Sequence, residues 1–311
     1  VKEVEYASCV PGVMHACGHD VHTAVLMGTA VVLGSLRDKL KGNVKFIFQP
    51  SEESSPGGAK HMIRDGAIEE PTPSAVAALH CHPDLPAGYI AHRAGIMTAS
   101  SDRLTIVIKG RSGHASRPHL AVDAVLVSSM VIDAIHHIVS RRTDPLHHTV
   151  ISIGTIKGGT AANIVADRVE MRGTVRTLDP EGREKIQVLI ENVIKGVTMG
   201  AGADYEFAYD YGSPSVVNDP ELDKLLTECA GEVVGAERVV TMKDPLMGAE
   251  DFSYFAERIP GAFFRIGVGS PKGVIAPLHT PEFDVNEEAL AVGTRIMSWF
   301  AAKFLDLKGR G

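Results

Sequence analysis

Residues 167–211 read DRVEMRGTVRTLDPEGREKIQVLIENVIKGVTMGAGADYEFAYDY, and the period of their apolar residues changes twice. Val169, Met171, Gly173 and Val175 alternate with Arg168, Glu170, Arg172 and Thr174, the two-residue period of a strand. Asp179 and Pro180 then supply an N-cap and first-turn pair. Ile186, Leu189, Ile190, Val193, Ile194 and Val197 follow on one face at helical spacing. With Tyr205, Phe207, Tyr209 and Tyr211 the two-residue period returns. Working upstream, Leu104, Ile106 and Ile108 mark a strand, residues 121–141 an amphipathic helix and residues 149–156 another strand. The order β-α-β-β-α-β is that of a ferredoxin-like unit.

Strand and helix patterns alternate differently on either side of this unit. NVKFIFQ at 43–49 predicts a buried strand that stops at Pro50 and Ser51, and AVAALH at 75–80 predicts a second. Dense apolar residues from His22 to Leu40 predict a largely buried helix. Downstream, Asp219 and Pro220 cap another helix, residues 262–268 are strand-like and residues 286–305 form a terminal amphipathic helix. The expected fold class is therefore α/β, with the ferredoxin-like unit inserted into the first domain. The predicted boundaries are 1–97 and 213–311 for the two parts of the outer domain and 98–212 for the insert.

The 311 residues suffice for two domains, and 44% hydrophobic with 22% charged residues is an ordinary globular composition. A net charge of −7 argues against a nucleic-acid or anionic-membrane surface. Four scattered cysteines form no C-x-x-C pair, which suits a reducing compartment. Neither a run of 18 apolar residues nor a charged-then-apolar leader is present, and the expectation is a cytoplasmic protein without a membrane partner.

The fourteen histidines cluster, at His15, His19 and His22, at His80 and His82, and at His114 and His119. In MHACGHDVH the thiol of Cys17 and the imidazole of His19 stand two apart, a pair that zinc-type metals accept and that a buried thiol beside a hydrogen-bonded histidine also explains. In QPSEE, Glu52 and Glu53 follow a predicted strand. Extended backbone would point them opposite ways, leaving one free as a base while the other binds metal; a surface acidic turn is the plainer alternative. His80 and His279, in APLHTPEF, complete a set in which Cys17, His19, Glu53, His80 and His279 are five ligand-type residues at loop or strand ends of one domain. Five ligands exceed one closed tetrahedral site and suit two metals sharing a water.

The stretches GVMHACGHDVHTA, KFIFQPSEESSPGGAKHMI, GHASRPHLAVDA, GGTAANIVAD, RGTVRTLD, MGAEDFSYF and LHTPEFDVNEEAL resemble, essentially end to end, the metal-dependent amidohydrolases. That family includes hippurate hydrolase, N-acyl-amino-acid aminoacylases, indoleacetyl-amino-acid hydrolases and thermostable carboxypeptidases. The resemblance implies a metallopeptidase-type catalytic domain with an inserted dimerisation lid and a homodimer through that lid. It implies two divalent metal ions (zinc, manganese, cobalt or nickel) on Cys17, His19, Glu53, His80 and His279. It makes Glu52 the general base and a metal-activated water the nucleophile. It places His114 where it polarises the scissile carbonyl, and Asn163 and Arg176 where they bind substrate. His119 and Asp251 lie in family motifs without an assigned role.

The expected reaction is hydrolysis of the amide of an N-acyl amino acid or related conjugate. The alternatives are a carboxypeptidase acting on short peptides, a Cys17 nucleophile working without metal, and a non-catalytic metal-binding fragment. The last arises because family members carry an upstream segment with an Asp-x-Asp-Ala-Leu strand, whereas this chain begins at Val1 just before the first motif and looks truncated.

Overall fold

The computed structural model describes residues 7–54, 57–270 and 276–309. Helix α1 (His19–Ser35) follows Gly18, whose left-handed φ of 87° and close approach to Cys81 (a Cβ there would lie 2.6 Å from Sγ) both require glycine. The helix starts one turn earlier than its apolar run, so that His19 and His22 share it, and it ends at Ser35 rather than Leu40. Then come α2 (Gly58–Arg64), β1 (Val76–Pro86), β2 (Ile90–His92) and β3 (Gly95–Ile96).

The insert begins with β4 (Asp102–Lys109) and β5 (Gly113–His114), continues through α3 (Ala124–Arg141), β6 (Thr149–Gly158), β7 (Ile164–Val165) and β8 (Arg168–Thr177), and ends with α4 (Gly182–Ala201) and β9 (Asp204–Asp210). Its sheet has the order β6-β8-β4-β9, antiparallel throughout, with Asp102 opposite Val175 and Ile106 opposite both Met171 and Phe207. This is the expected ferredoxin-like arrangement, with β5 and β7 as a small extra ladder. Ile135 and Ile138 of α3 and Ile190 and Ile194 of α4 pack with Ile106 and Met171. Among the described residues α3 alone is long and apolar enough to cross a membrane, yet its Val127, Val131, Ile135 and Ile138 are buried in this core. Helix α4 starts at Gly182, slightly later than the predicted cap, and the Asp179 carboxylate still accepts from the Gly182 N–H.

The outer domain resumes with β10 (Val217–Asn218), α5 (Pro220–Val234), β11 (Val239–Thr241), α6 (Ser253–Ala256), β12 (Gly261–Gly269) and α7 (Glu288–Lys308). Asp219 caps α5 through the N–H groups of Glu221 and Leu222, with Pro220 in the first turn, as predicted. The outer sheet is ordered β1-β12-β2-β11, and β1 and β12 run parallel from Val76 opposite Gly261 to His82 opposite Gly267. Every position of β12 is buried, the pattern of a strand covered on both faces. Val25, Leu226 and Ile296 from α1, α5 and α7 meet Ile266 in one core, while Ile63 and Phe255 from α2 and α6 meet Phe263 in another.

One expected strand does not form. Residues 43–49 join no ladder among the described residues, and β1 stands at the edge of its sheet. Apolar, β-branched composition favours a strand only where a neighbouring backbone can accept its hydrogen bonds.

Candidate metal centre

Cys17 sits in the loop before α1, buried, with its Sγ 3.4 Å from Nε2 of His80 and 3.3 Å from Nε2 of His279. His80 lies within β1, which runs on to Pro86 instead of ending at this residue as the sequence predicts. Its Nδ1 is 2.9 Å from the Cys81 carbonyl. A carbonyl only accepts, so Nδ1 carries the proton and Nε2 turns a lone pair toward Cys17. The loop around His279 is pinned by its N–H donating to Ala16 O at 2.7 Å, and its φ of 65° is left-handed, a conformation rare outside glycine. Nε2 of His19 is buried without a hydrogen-bond partner, 3.8 Å from Oε2 of Glu52 and 3.9 Å from Oε1 of Glu53. Oε1 of Glu53 is also 3.7 Å from Nε2 of His279.

The structure thus gathers all five residues of the predicted ligand set. Cys17, His19 and His80 form one group of mutually close donor atoms, and Cys17, Glu53 and His279 form a second, with the thiol common to both. Five donors of the nitrogen, sulfur and oxygen types that zinc-like ions take, one of them an unpartnered buried imidazole nitrogen, fit a metal-binding role. Burial holds the His80 and His19 imidazoles below their ordinary pKa, so both stay neutral donors. Burial, with Glu53 and Glu52 nearby, holds the Cys17 thiol well above its ordinary range.

The two glutamates do not point opposite ways. Residues 52 and 53 form a turn entered through Ser51 at φ 60°, and both carboxylates face His19. Their surroundings still separate them. Glu53 faces Cys17 and His279, whereas Glu52 faces Glu250 and Asp251. Burial, then the charges of Asp251 and Glu53, raises Glu52 to about 7, and burial with Glu52 and Asp251 raises Glu250 to about 8.

Asp251 acquires a structural role. It accepts from Nε2 of Gln49 at 2.7 and 2.8 Å and from the Ala59 N–H at 3.1 Å, tying the loop that carries Glu52 to the start of α2. Gly57 and Gly58 are needed there, since Cβ atoms would run into Asp251 and the Pro50 carbonyl. Two residues, Glu250 and Arg265, escaped the sequence reading. Glu250 stands in the quoted stretch MGAEDFSYF, where its acidic neighbour Asp251 masked it. Arg265, pointing from β12 with its Nε unpartnered, is a buried cation that only the β1–β12 register places near the cluster. His22, one helical turn after His19, is consumed by accepting the Cys81 N–H at 3.0 Å.

The predicted substrate residues lie on the insert. His114 and Asn163 are neighbours there, the Ala115 N–H donating to Asn163 O at 3.1 Å, and Nδ1 of His114 accepts from the Ser116 N–H. Neither is joined to the cluster by a hydrogen bond or ion pair among the described residues. Arg176 donates from Nη1 to Met247 O at 3.0 Å, which places it against the loop leading to Glu250. His119 is exposed in a short 3-10 turn, with no contact to the cluster among the described hydrogen bonds and ion pairs.

A thiol, imidazoles and carboxylates gathered beside a mixed sheet, in a domain interrupted by a ferredoxin-like insert, define a candidate metal centre. The chain belongs to peptidase family M20/M25/M40, whose family model matches residues 1–303. It is 38% identical over 301 residues to N-acetylcysteine deacetylase of Bacillus subtilis, covering 97% of this chain and 77% of that protein. It is also 38% identical over 307 residues to thermostable carboxypeptidase 2 of Saccharolobus solfataricus, covering 97% and 76%. Among solved structures, the YXEP protein of Bacillus subtilis, described as a dinuclear metal-binding peptidase of the M20 family, superposes with a TM-score of 0.83 at 34% identity, covering 98% of this chain and 77% of that one.

Proposed function

We propose that this protein hydrolyses the amide bond of N-acyl amino acids or related conjugates, with two divalent metal ions held by Cys17, His19, Glu53, His80 and His279. The observation that carries this is the sharing of Cys17 between two donor groups, one with His19 and His80 and the other with Glu53 and His279. Zinc, manganese, cobalt or nickel suits such donors. Bound there, the ions supply a water of lowered pKa and polarise the substrate carbonyl.

The remaining chemistry belongs to side chains. Glu52 accepts the proton of the attacking water and delivers it to the leaving amine; its burial and the charges of Asp251 and Glu53 make its carboxylate a stronger proton acceptor than an ordinary glutamate. His114, from the lid of the same or the partner subunit, donates toward the carbonyl oxygen as negative charge develops there. Asn163 and Arg176 hold the carboxylate of the amino-acid product, Arg176 exchanging the Met247 carbonyl for it. The lid also carries the dimer contact: Leu120, Val125, Leu126 and Met130 are exposed on and just before α3, an apolar face that suits a second copy. The proposed compartment is the cytoplasm.

The test is a panel of N-acyl amino acids, including hippurate and N-acetyl amino acids, incubated with the chain reconstituted with zinc or manganese and with a chelated control. Chelator-sensitive release of amino acid is expected. Absence of turnover by folded, metal-loaded protein overturns the proposal in favour of a non-catalytic metal-binding fragment. The relative named as a carboxypeptidase favours a second reading, cleavage of short peptides, and relative kcat/KM on dipeptides and acyl-amino acids decides between them.

A further inference from the structure

The far edge of the outer sheet carries a constellation that the metal centre does not use. His92 ends β2 and is paired with Thr241, the last residue of β11, so both side chains project from the same face of the sheet. Asp223 meets them from the first turn of α5. Its Oδ2 is 2.9 Å from Nδ1 of His92, and Nε2 of His92 is 2.9 Å from Oγ1 of Thr241. A carboxylate only accepts, so Nδ1 carries the imidazole proton and Nε2 accepts from the Thr241 hydroxyl.

Burial falls along this series from carboxylate to hydroxyl. The Asp223 side chain is 5% exposed and that of His92 12%, while Thr241 opens to solvent. Oδ1 of Asp223 is buried without a hydrogen-bond partner among the described residues, which leaves the imidazole as the group that answers its charge. The chain beside Thr241 is held firmly. Met242 donates its N–H to His92 O at 2.8 Å, and Nη1 of Arg93 donates to the Met242 and Lys243 carbonyls at 3.0 and 2.6 Å. Because Met242 turns its N–H toward β2, alternation turns that of Thr241 to the open edge, where β11 has no further neighbour among the described residues.

A tie between α5 and the sheet needs only the His92–Asp223 bond. Carboxylate, imidazole and exposed hydroxyl in hydrogen-bonded series, beside a free amide, are the parts of a nucleophile with its base and an oxyanion donor. We propose that Thr241 is a metal-independent acyl acceptor toward small activated esters, with His92 as its base and Asp223 as the residue that positions the imidazole. Oγ1 attacks the ester carbonyl while Nε2 takes the hydroxyl proton. The tetrahedral oxyanion faces the Thr241 N–H, and its collapse breaks the bond to the alcohol or phenol oxygen, which leaves with the proton from Nε2. The products are acyl-Thr241 and the free alcohol or phenol. Thr241 lies three strand spacings from β1, about 14 Å across the sheet, and shares no residue with the proposed amide hydrolysis.

A biotinylated fluorophosphonate tests it, because the same attack at phosphorus expels fluoride and leaves a stable adduct. The full chain is treated with and without chelator and mapped by mass spectrometry of its peptides. The adduct is expected on Thr241 under both conditions. His92→Gln and Asp223→Asn should slow it by about 100-fold or more, the scale of a lost general base, and thermal melts of both variants report whether they fold. Thr241→Ser, with a less hindered hydroxyl, should label at the same position at least as fast as the parent, and Thr241→Val should not label there. An unlabelled position 241 in both the parent and Thr241→Ser overturns the proposal, whatever the folding of the other variants. Equal labelling of Thr241 in folded His92→Gln and Asp223→Asn, or labelling lost with the chelator, overturns it as well.

Discussion

Cys17 and His279 stand 262 positions apart in sequence, yet the thiol sulfur of one lies 3.3 Å from Nε2 of the other, in a loop held by the His279 N–H on the Ala16 carbonyl. A backbone hydrogen bond next to the thiol therefore fixes the imidazole across from it. The same sulfur lies 3.4 Å from His80, so three distant parts of the chain converge on one atom.

That convergence makes Cys17→Ser more damaging than loss of any single imidazole. A hydroxyl is a poor ligand for zinc-type ions and does not ionise near neutral pH. The expected result is a fall in affinity for both ions by about 100-fold or more, beyond the 10–100-fold typical of outer-shell changes. Titration calorimetry with zinc, with metal analysis after dialysis, checks it; loss of one ion with the other retained at parental affinity would contradict a shared thiol.

Glu52→Gln separates proton transfer from metal binding. The amide keeps the shape of the side chain but accepts no proton at neutral pH, so kcat should fall by about 10²–10⁴ while metal stoichiometry and KM change little. Steady-state kinetics on the best acyl-amino acid, paired with metal analysis of the same sample, measures both. Full turnover by a fully loaded variant would remove Glu52 from the mechanism.

Glu250 predicts a pH dependence of stability in the chelated protein. Burial, then the charges of Glu52 and Asp251, raises its carboxyl from 4.5 to about 8. Between those pH values the folded state holds a proton that the unfolded state has lost, so this group's contribution falls as pH rises through the window and levels off above about 8. Glu250→Gln removes the ionisation, so its stability relative to the parent should rise from pH 5 to pH 8, by about 1.4 kcal/mol per unit of pKa shift at most. Urea unfolding at the two pH values, where a gain equal at both would contradict the assignment, is the measurement.

Periodicity was enough to read the insert, because β8 and β9 are half-buried and alternate, as Val169 to Val175 does. In the outer domain composition was a poorer guide. NVKFIFQ has strand-forming residues but no partner among the described ones, and a single sequence carries no record of partners. The ligand set was legible as residue types in unusual spacing and through family likeness. What stayed hidden were groups whose importance depends on register or burial: Arg265, which the β1–β12 pairing sets opposite His80, and Glu250, an ordinary acidic residue until its burial is seen. The pair Glu52–Glu53 was misread in direction because the left-handed Ser51 breaks the extended backbone on which alternation depends.

Asp102 marks where the lid joins the rest of the chain, and its loss should loosen that root. The carboxylate is fully buried and accepts from Nε and Nη2 of Arg183, from the Tyr209 hydroxyl at 2.9 Å and from the Gly212 N–H at 3.0 Å, while Nη2 of Arg183 also reaches Gly212 O at 2.6 Å. Every acceptor position is used, so the pair ties the first residue of β4 to α4 and to the chain leaving β9. Removing one partner of such a pair leaves an uncompensated charge, at a cost of about 3–5 kcal/mol. Asp102→Ala should therefore lower the unfolding free energy measured by urea titration by that much and speed amide exchange first in β4 and β9. Asp102→Asn, which keeps an acceptor oxygen for Gly212 or Tyr209 but turns an amide toward Arg183, should fall between the two. If Asp102→Ala costs less than about 1 kcal/mol, the ion pair contributes no more than a surface one and does not hold the lid.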